Sequence, residues 1–89
     1  MKIVVHSKTG CPSCVRAKKW LDDRELEYEL LIYDDYTERN KMYDEFGLVG
    51  NKRTVPQIVV DGVRIGGADD LEKSDVADRA SAGNFNMDF

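Results

Sequence analysis

An α/β fold with a four-stranded mixed β-sheet and three helices, in the order β-α-β-α-β-β-α, is predicted by three observations on this 89-residue sequence. The first is the β-branched run Lys2-Ile-Val-Val-His6, which passes through turn residues into a helical stretch and then a second apolar run. That is a βαβ opening, whose right-handed crossover makes its two strands parallel. The second is Asp61-Gly62 between two apolar runs, the strongest short hairpin signal, which adds an antiparallel pair. The third is size and composition. At 42% hydrophobic and 34% charged residues the chain is ordinary globular material, and a chain of this length buries roughly 65% of its unfolded surface, enough for one core. A single domain over residues 1–89 is expected, with no repeats or linkers.

The elements follow in order. After Ser7, Thr9 and Gly10, a helix begins at Pro12, a residue suited to the first helical position because its missing N–H would be unpaired there anyway. It runs to about Arg24 with Cys14, Ala17 and Leu21 on one face. Glu27 to Tyr33 is a strand, and its unbroken Leu30-Leu31-Ile32 predicts burial on both faces and a central place in the sheet. Asp34 and Asp35 can cap a helix over about Tyr36–Phe46, with Arg39, Met42, Tyr43 and Phe46 along one stripe and Gly47 closing it. Leu48 to Arg53 is loop. Gln57–Val60 and Val63–Ile65 form the hairpin, Gly66-Gly67 breaks the strand, and Ala68 to about Ala82 is helical with a thin apolar face of Leu71, Val76, Ala77 and Ala80. The tail Asn84-Phe-Asn-Met-Asp-Phe89 alternates apolar and polar residues and can pack or fray.

Charge excludes some partners and locates others. The formal net charge is −4, so a nucleic-acid partner is not expected, because phosphate backbones are bound mainly by Lys and Arg. No window approaches the ~18 apolar residues of a membrane span, and Met1-Lys2 leads into a strand rather than a signal peptide, so a cytoplasmic protein is expected. The distribution is uneven. Residues 1–20 carry Lys2, Lys8, Arg16, Lys18 and Lys19 and no acid, and all seventeen acids lie beyond them. The positive end of the molecule therefore coincides with its only two cysteines, Cys11 and Cys14.

Two cysteines with only two residues between them close too short a loop to stabilise the fold much. Zinc would want four ligands, and the chain offers two Cys and one His; His6 reads as a satisfied strand histidine. A redox dithiol after a βαβ opening fits best. Cys11 would lie just before the first turn of the helix, where unpaired N–H groups, the positive end of the helix dipole and Lys8 favour its thiolate, the reactive species. Cys14, one turn inside on the buried face, would stay protonated longer. Cys11 then attacks and Cys14 resolves.

Three separated motifs, Lys8-Thr-Gly-Cys11-Pro-Ser-Cys14, Thr54-Val55-Pro56-Gln57-Ile58 and Gly66-Gly67-Ala68-Asp69-Asp70-Leu71, resemble in order and spacing those of the glutaredoxins, over about residues 2–75. The resemblance implies a thioredoxin-like fold and glutathione as co-substrate. It implies a cis Pro56 facing the cysteines, whereas the residues alone allow Pro56 to open a strand in the trans form. It also implies that the Val55 backbone pairs with the cysteinyl part of glutathione, that the Gly67–Ala68 backbone and the Asp69 carboxylate hold its γ-glutamyl end, and that its glycyl carboxylate meets Lys8 and a cation before Thr54, either Lys52 or Arg53. Asp70 reads as a helix N-terminal acid.

The expected activity is that of a dithiol glutaredoxin, reducing protein–glutathione mixed disulfides and protein disulfides, with a potential of roughly −200 to −230 mV and no metal. A monomer is expected, with ribonucleotide reductase among the conceivable protein partners. One alternative is a glutaredoxin-like redoxin reduced by thioredoxin reductase and serving ribonucleotide reductase. A further one is a carrier of a glutathione-ligated [2Fe–2S] cluster, against which Pro12 behind the ligand cysteine argues. Two departures from the family stand out. Ser13 occupies a position where members commonly have Tyr, and the tail from about residue 82 has no counterpart, although Phe85, Met87 and Phe89 are suited to covering core left open by the last helix.

Overall fold

Strand β1 (Ile3–Ser7) is the spine on which the other elements are placed, and the computed structural model describes it together with the rest of residues 1–79. β1 pairs in parallel with β2 (Glu29–Ile32), Val5 opposite Leu30, and antiparallel with β3 (Gln57–Val60), Val5 opposite Ile58. β3 pairs antiparallel with β4 (Val63–Gly66) across the Asp61-Gly62 turn, so the sheet order is β2-β1-β3-β4. The expected mixed sheet is present. The expected central place of β2 is not: it is an edge strand, and Leu30 and Ile32 remain 37% and 47% exposed. An apolar run reports that a strand has an apolar face, not how many neighbours it has. Leu30 and Ile32 share the face of Val5 and Ser7, their register partners, but sit at the margin of the sheet.

Strand alternation sorts β1 into two faces. Ile3, Val5 and Ser7 are buried on one side. Against them lies α1 (Pro12–Asp23), whose Cys14, Ala17 and Leu21 recur at the expected helical spacing and are all buried. α3 (Ala68–Lys73) completes this core with Ala68 and Leu71, joined by Ile58, Val60 and Val76. On the other face, α2 (Tyr36–Glu45) packs Met42 and Tyr43 with Leu48, Tyr33, Phe46 and Val55. His6 belongs to that side: its ring stacks on Tyr33 and meets Phe46 edge-on, and its Nδ1 lies 2.8 Å from the Tyr33 hydroxyl. It is the satisfied strand histidine its position implied.

The two aspartates before α2 divide their work. Asp35 caps the helix, its carboxylate accepting from the Glu38 N–H at 3.1 Å. Asp34 turns back to the loop before α1. Arg39, on the expected stripe, donates to the Tyr33 carbonyl at 2.9 Å. A 3-10 turn over Gly50–Lys52 interrupts the predicted loop. The helix expected over Ala68–Ala82 ends at Lys73. Ser74 takes an extended conformation (φ −80°, ψ 168°), donates its hydroxyl to the Leu71 carbonyl at 2.6 Å, and accepts from the Val76 N–H at 3.4 Å. It therefore closes one helix and bonds to the first N–H of the helical segment over residues 76–79. The remainder of the expected helix, and the tail with Phe85, Met87 and Phe89, lie outside the described residues. Among the described residues no helix is long and apolar enough to cross a membrane.

Candidate active site

Ser7 ends β1 and Pro12 starts α1, so four residues must carry the chain from the sheet into the helix. Asp34 organises them. Its carboxylate accepts from the Thr9 N–H at 2.7 Å and the Thr9 hydroxyl at 2.6 Å, and these two bonds, first, hold Asp34 below the usual carboxylate range. Gly10 turns with φ +73°, a left-handed conformation that suits glycine. Cys11 is then delivered as the N-cap of α1. Its sulfur accepts from the Cys14 N–H at 3.2 Å, so one of the unpaired donors of the helix start points at the thiol. On its other side Cys11 donates to the Val55 carbonyl at 3.6 Å.

Both thiols are free. Cys14 is the deeper one, at 1% exposure against 6% for Cys11. Burial, above all, and the interaction with Cys11 push the Cys14 thiol up; the Ser7 hydroxyl and the Lys8 backbone pull it partly back. Cys14 is thus the deeper thiol and the one whose ionisation burial opposes, as its place one turn inside the helix implied.

Beside the thiols runs a groove of about 510 Å³. Thr54, Val55 and Pro56 form one wall, with the Val55–Pro56 bond cis. The Gly66–Asp70 segment, whose Gly67 lies beside the Pro56 carbonyl, lines it further, and Ser13 and Arg16 reach it from α1. Gly66 adopts φ +120°, and a Cβ there would collide with the Asp70 carboxylate, which accepts from the Gly67 N–H at 3.0 Å. Asp70 is therefore the N-terminal acid of α3 that its place suggested.

The structure brings most of the sequence-derived residues to this groove: Lys52, Thr54, Val55, Pro56, Gly67, Ala68 and Asp69 all line it. Lys8 and Arg53 do not. Lys8 is exposed in the loop, where its charge acts on Asp34. Arg53 turns away to α2, paired with the Asp44 carboxylate and donating to Asn40 Oδ1 at 3.0 Å. Asp69 is occupied as well, by the guanidinium of Arg16, which also reaches Glu72 at 3.2 Å. Sequence reasoning counted Arg16 only in the positive end of the molecule and Gln57 only as part of a motif, and it passed over Arg64. Arg64 lines the groove and donates to the buried Gln57 at 3.1 Å, whose amide in turn donates to the Thr54 carbonyl at 2.9 Å. The alternation of β4 and the Gln after Pro56 were the available signals for that chain of contacts. Among the described residues no three His, Cys, Asp or Glu side chains gather as a metal site would.

A dithiol at a helix start, one sulfur at a groove and one beneath it, on a sheet of order β2-β1-β3-β4, defines a thiol–disulfide oxidoreductase of the thioredoxin-like fold. Residues 3–65 match the family model named Glutaredoxin, and the chain belongs to the glutaredoxin family. Glutaredoxin 1 of Rickettsia felis is 35% identical over 85 residues, which is 91% of this chain and 81% of that relative. Human mitochondrial Glutaredoxin-2 is 37% identical over 71 residues, 80% of this chain and 43% of that protein. Among solved structures, Glutaredoxin 1 of Francisella tularensis, determined with cacodylate, superposes with a TM-score of 0.77 at 33% identity, covering 90% of this chain and 96% of that one. A buckwheat glutaredoxin–glutathione complex superposes with a TM-score of 0.68 at 31% identity, covering 80% and 64%.

Proposed function

We propose that this protein reduces protein–glutathione mixed disulfides and protein disulfides with electrons from glutathione. The observation that carries this reading is the placement of Cys11: its sulfur is the N-cap acceptor of α1, and it touches the Val55 backbone at the edge of a groove large enough for a tripeptide. In the mixed-disulfide reaction the Cys11 thiolate attacks the glutathione sulfur. The protein thiolate leaves and takes up a proton, and Cys11 becomes glutathionylated. A second glutathione thiolate attacks that bond, releasing oxidised glutathione and restoring Cys11. With a protein disulfide, Cys14 attacks the Cys11 sulfur of the intermediate, forming Cys11–Cys14 and releasing the reduced protein; glutathione then reduces the internal bond.

In the groove, the Val55 backbone pairs with the cysteinyl unit of glutathione, and Lys52 is the cation available to its glycyl carboxylate. Gly67, Ala68 and Asp69 hold the γ-glutamyl end, for which the ammonium must compete with Arg16 for Asp69. The buckwheat protein whose complex with glutathione superposes on this chain supports the same use of the groove.

The test is a glutathione-dependent assay with a glutathionylated peptide and a peptide disulfide. Cys11→Ser is expected to lose both reactions, and Cys14→Ser to lose disulfide reduction far more than mixed-disulfide reduction. Mixed-disulfide reduction by Cys11→Ser would overturn the reading. Specific observations favour keeping a second reading, a redoxin reduced by thioredoxin reductase: Arg53 and Asp69 are already paired within the chain, and Ser13 leaves the groove without an aromatic wall at that position. Reduction of the oxidised protein by NADPH and thioredoxin reductase at a higher rate than by glutathione would establish that alternative.

A further inference from the structure

Strand β3 carries one buried polar side chain, Gln57, at 3% exposure, while its neighbours Ile58 and Val60 fill the main core. A buried amide needs an acceptor for its nitrogen and a donor for its oxygen. Gln57 has both. Its Nε2 donates to the Thr54 carbonyl at 2.9 Å and approaches the Thr54 hydroxyl at 3.4 Å, and its Oε1 accepts from the Arg64 guanidinium at 3.1 Å. The two ends fix the orientation of the amide, because the reverse would set oxygen against carbonyl oxygen and N–H against guanidinium. Arg64 reaches Gln57 because it stands opposite Val59 in the β3–β4 register, on the face that Val59 shares with Gln57. What these bonds hold is the groove wall. Thr54, Val55 and Pro56 lie between the 3-10 turn and β3, so among the described residues no strand ladder pairs their backbone. The Thr54 N–H bonds to the Lys52 carbonyl at 3.0 Å, within the same loop. The Gln57 amide instead ties the Thr54 carbonyl to the sheet, where Gln57 stands opposite His6 of β1. One residue on, the Val55 carbonyl accepts from Cys11 at 3.6 Å.

We propose that Gln57, oriented by Arg64, is a positioning residue that holds the Val55 backbone in place beside Cys11 for the cysteinyl unit of the substrate. It touches no reacting atom and acts through Thr54. The inference rests on the reading of this wall as the edge that binds glutathione. A wall fixed beforehand need not be ordered when the substrate arrives, so the brace contributes to affinity. That contribution is the same before and during the sulfur exchange, because Gln57 faces the wall and not the sulfurs. Its loss therefore raises KM and leaves kcat nearly unchanged.

The experiment uses Gln57→Met, which keeps the length of the side chain and removes both ends of the amide, with Arg64→Met and Arg64→Lys. Arg64 is exposed, so its variants remain readable should Gln57→Met fail to fold. In steady-state kinetics on a glutathionylated peptide, KM is expected to rise about fivefold in Gln57→Met, the effect of one hydrogen bond, with kcat within about twofold. Arg64→Met is expected to raise KM by a smaller factor, and Arg64→Lys, which returns a donor to Gln57, to restore most of it. Because Arg64 acts through Gln57, the double variant Gln57→Met/Arg64→Met is expected to match Gln57→Met alone. A second measurement needs no substrate: the NMR backbone order parameters of Thr54 and Val55 are expected to fall in Gln57→Met while those of β1 stay the same. Unchanged order at Thr54 and Val55 would overturn the proposal, as would an unchanged KM. A double variant whose KM rises by the product of the single effects would also overturn it, and would make Arg64 a direct contact of the substrate. Absence of glutathione-dependent turnover in the unsubstituted protein would instead overturn the reading of the site, and the order parameters would then decide the brace by themselves.

Discussion

Cys11 and Cys14 are chemically the same residue, and three positions of separation give them different surroundings. Cys11 lies outside the first helical turn and collects an N–H that the helix leaves unpaired, at 3.2 Å; Cys14 lies inside and meets the sheet. Ser13 falls between them on the solvent side and lines the groove with a hydroxymethyl group. An aromatic ring there would add an apolar wall against which the glutathione backbone could lie. Ser13→Tyr is therefore expected to lower KM for glutathione by about threefold, with kcat little changed, the size of a modest aromatic contact. Steady-state kinetics on a glutathionylated peptide would check it, and a KM that rises would show that the groove accommodates something other than a glutathione-sized ligand at this point. Arg16 and Arg53 also make a point at this scale. Both are cations near the site in sequence, but each already faces carboxylates, so charge counted along the chain overstates the charge offered to a ligand.

Among the elements, α2 depends most on its ends. It buries only Met42 and Tyr43, and most of its remaining residues face solvent. With so little packing, its start matters more than usual: Asp35 both satisfies the Glu38 N–H and places a negative charge at the positive end of the helix. Asp35→Ala is expected to cost about 1 kcal/mol of stability, read as a lower urea midpoint with an unchanged slope. Retention of the wild-type midpoint would mean that the neighbouring acids or water replace the cap. The break at Ser74 is the complementary lesson. Residues 68–79 are helix-forming in composition throughout, yet a serine bonding to its own backbone neighbours divides them, and Val76 is buried in the main core beyond the break.

For the molecule as a whole, the sheet separates two apolar clusters, and His6 belongs to the smaller one. Burial lowers its pKa below the ordinary value of about 6.5, with the carboxylates of Glu45 and Glu29 partly opposing the shift. The unfolded chain therefore binds this proton more readily than the folded one. Stability attributable to neutral His6 is complete above the unfolded value and is lost as pH falls from there through the lowered folded value. Between about pH 7 and pH 5 the unfolding free energy is expected to decline, and His6→Gln is expected to flatten that decline while weakening the contact with Tyr33. Chemical denaturation at several pH values would measure both slopes; parallel slopes would show that His6 titrates alike in the two states. The cysteines lie at the junction of the two clusters, since Cys14 belongs to the α1 face and Val55, which touches Cys11, to the α2 face.

The elements, and the chemistry that depends on short range, were legible in the residues alone. Period-2 and period-3.6 patterns located β1, α1, α2 and the hairpin, Asp61-Gly62 set the antiparallel pair, and the spacing of Cys11, Pro12 and Cys14 set one sulfur outside a helix and one within it. These are properties of residues a few positions apart, and the chain's own stereochemistry carries them. That β2 is an edge strand emerges from the assembled sheet, because Leu30-Leu31-Ile32 reads the same with one neighbour or two. The same holds for the reach of Arg16 to Asp69, the turn of Arg53 toward Asp44 and the grip of Asp34 on Thr9. Each of these joins residues on different elements, whose separation along the chain says nothing of their separation in space until the sheet order and helix faces have fixed it.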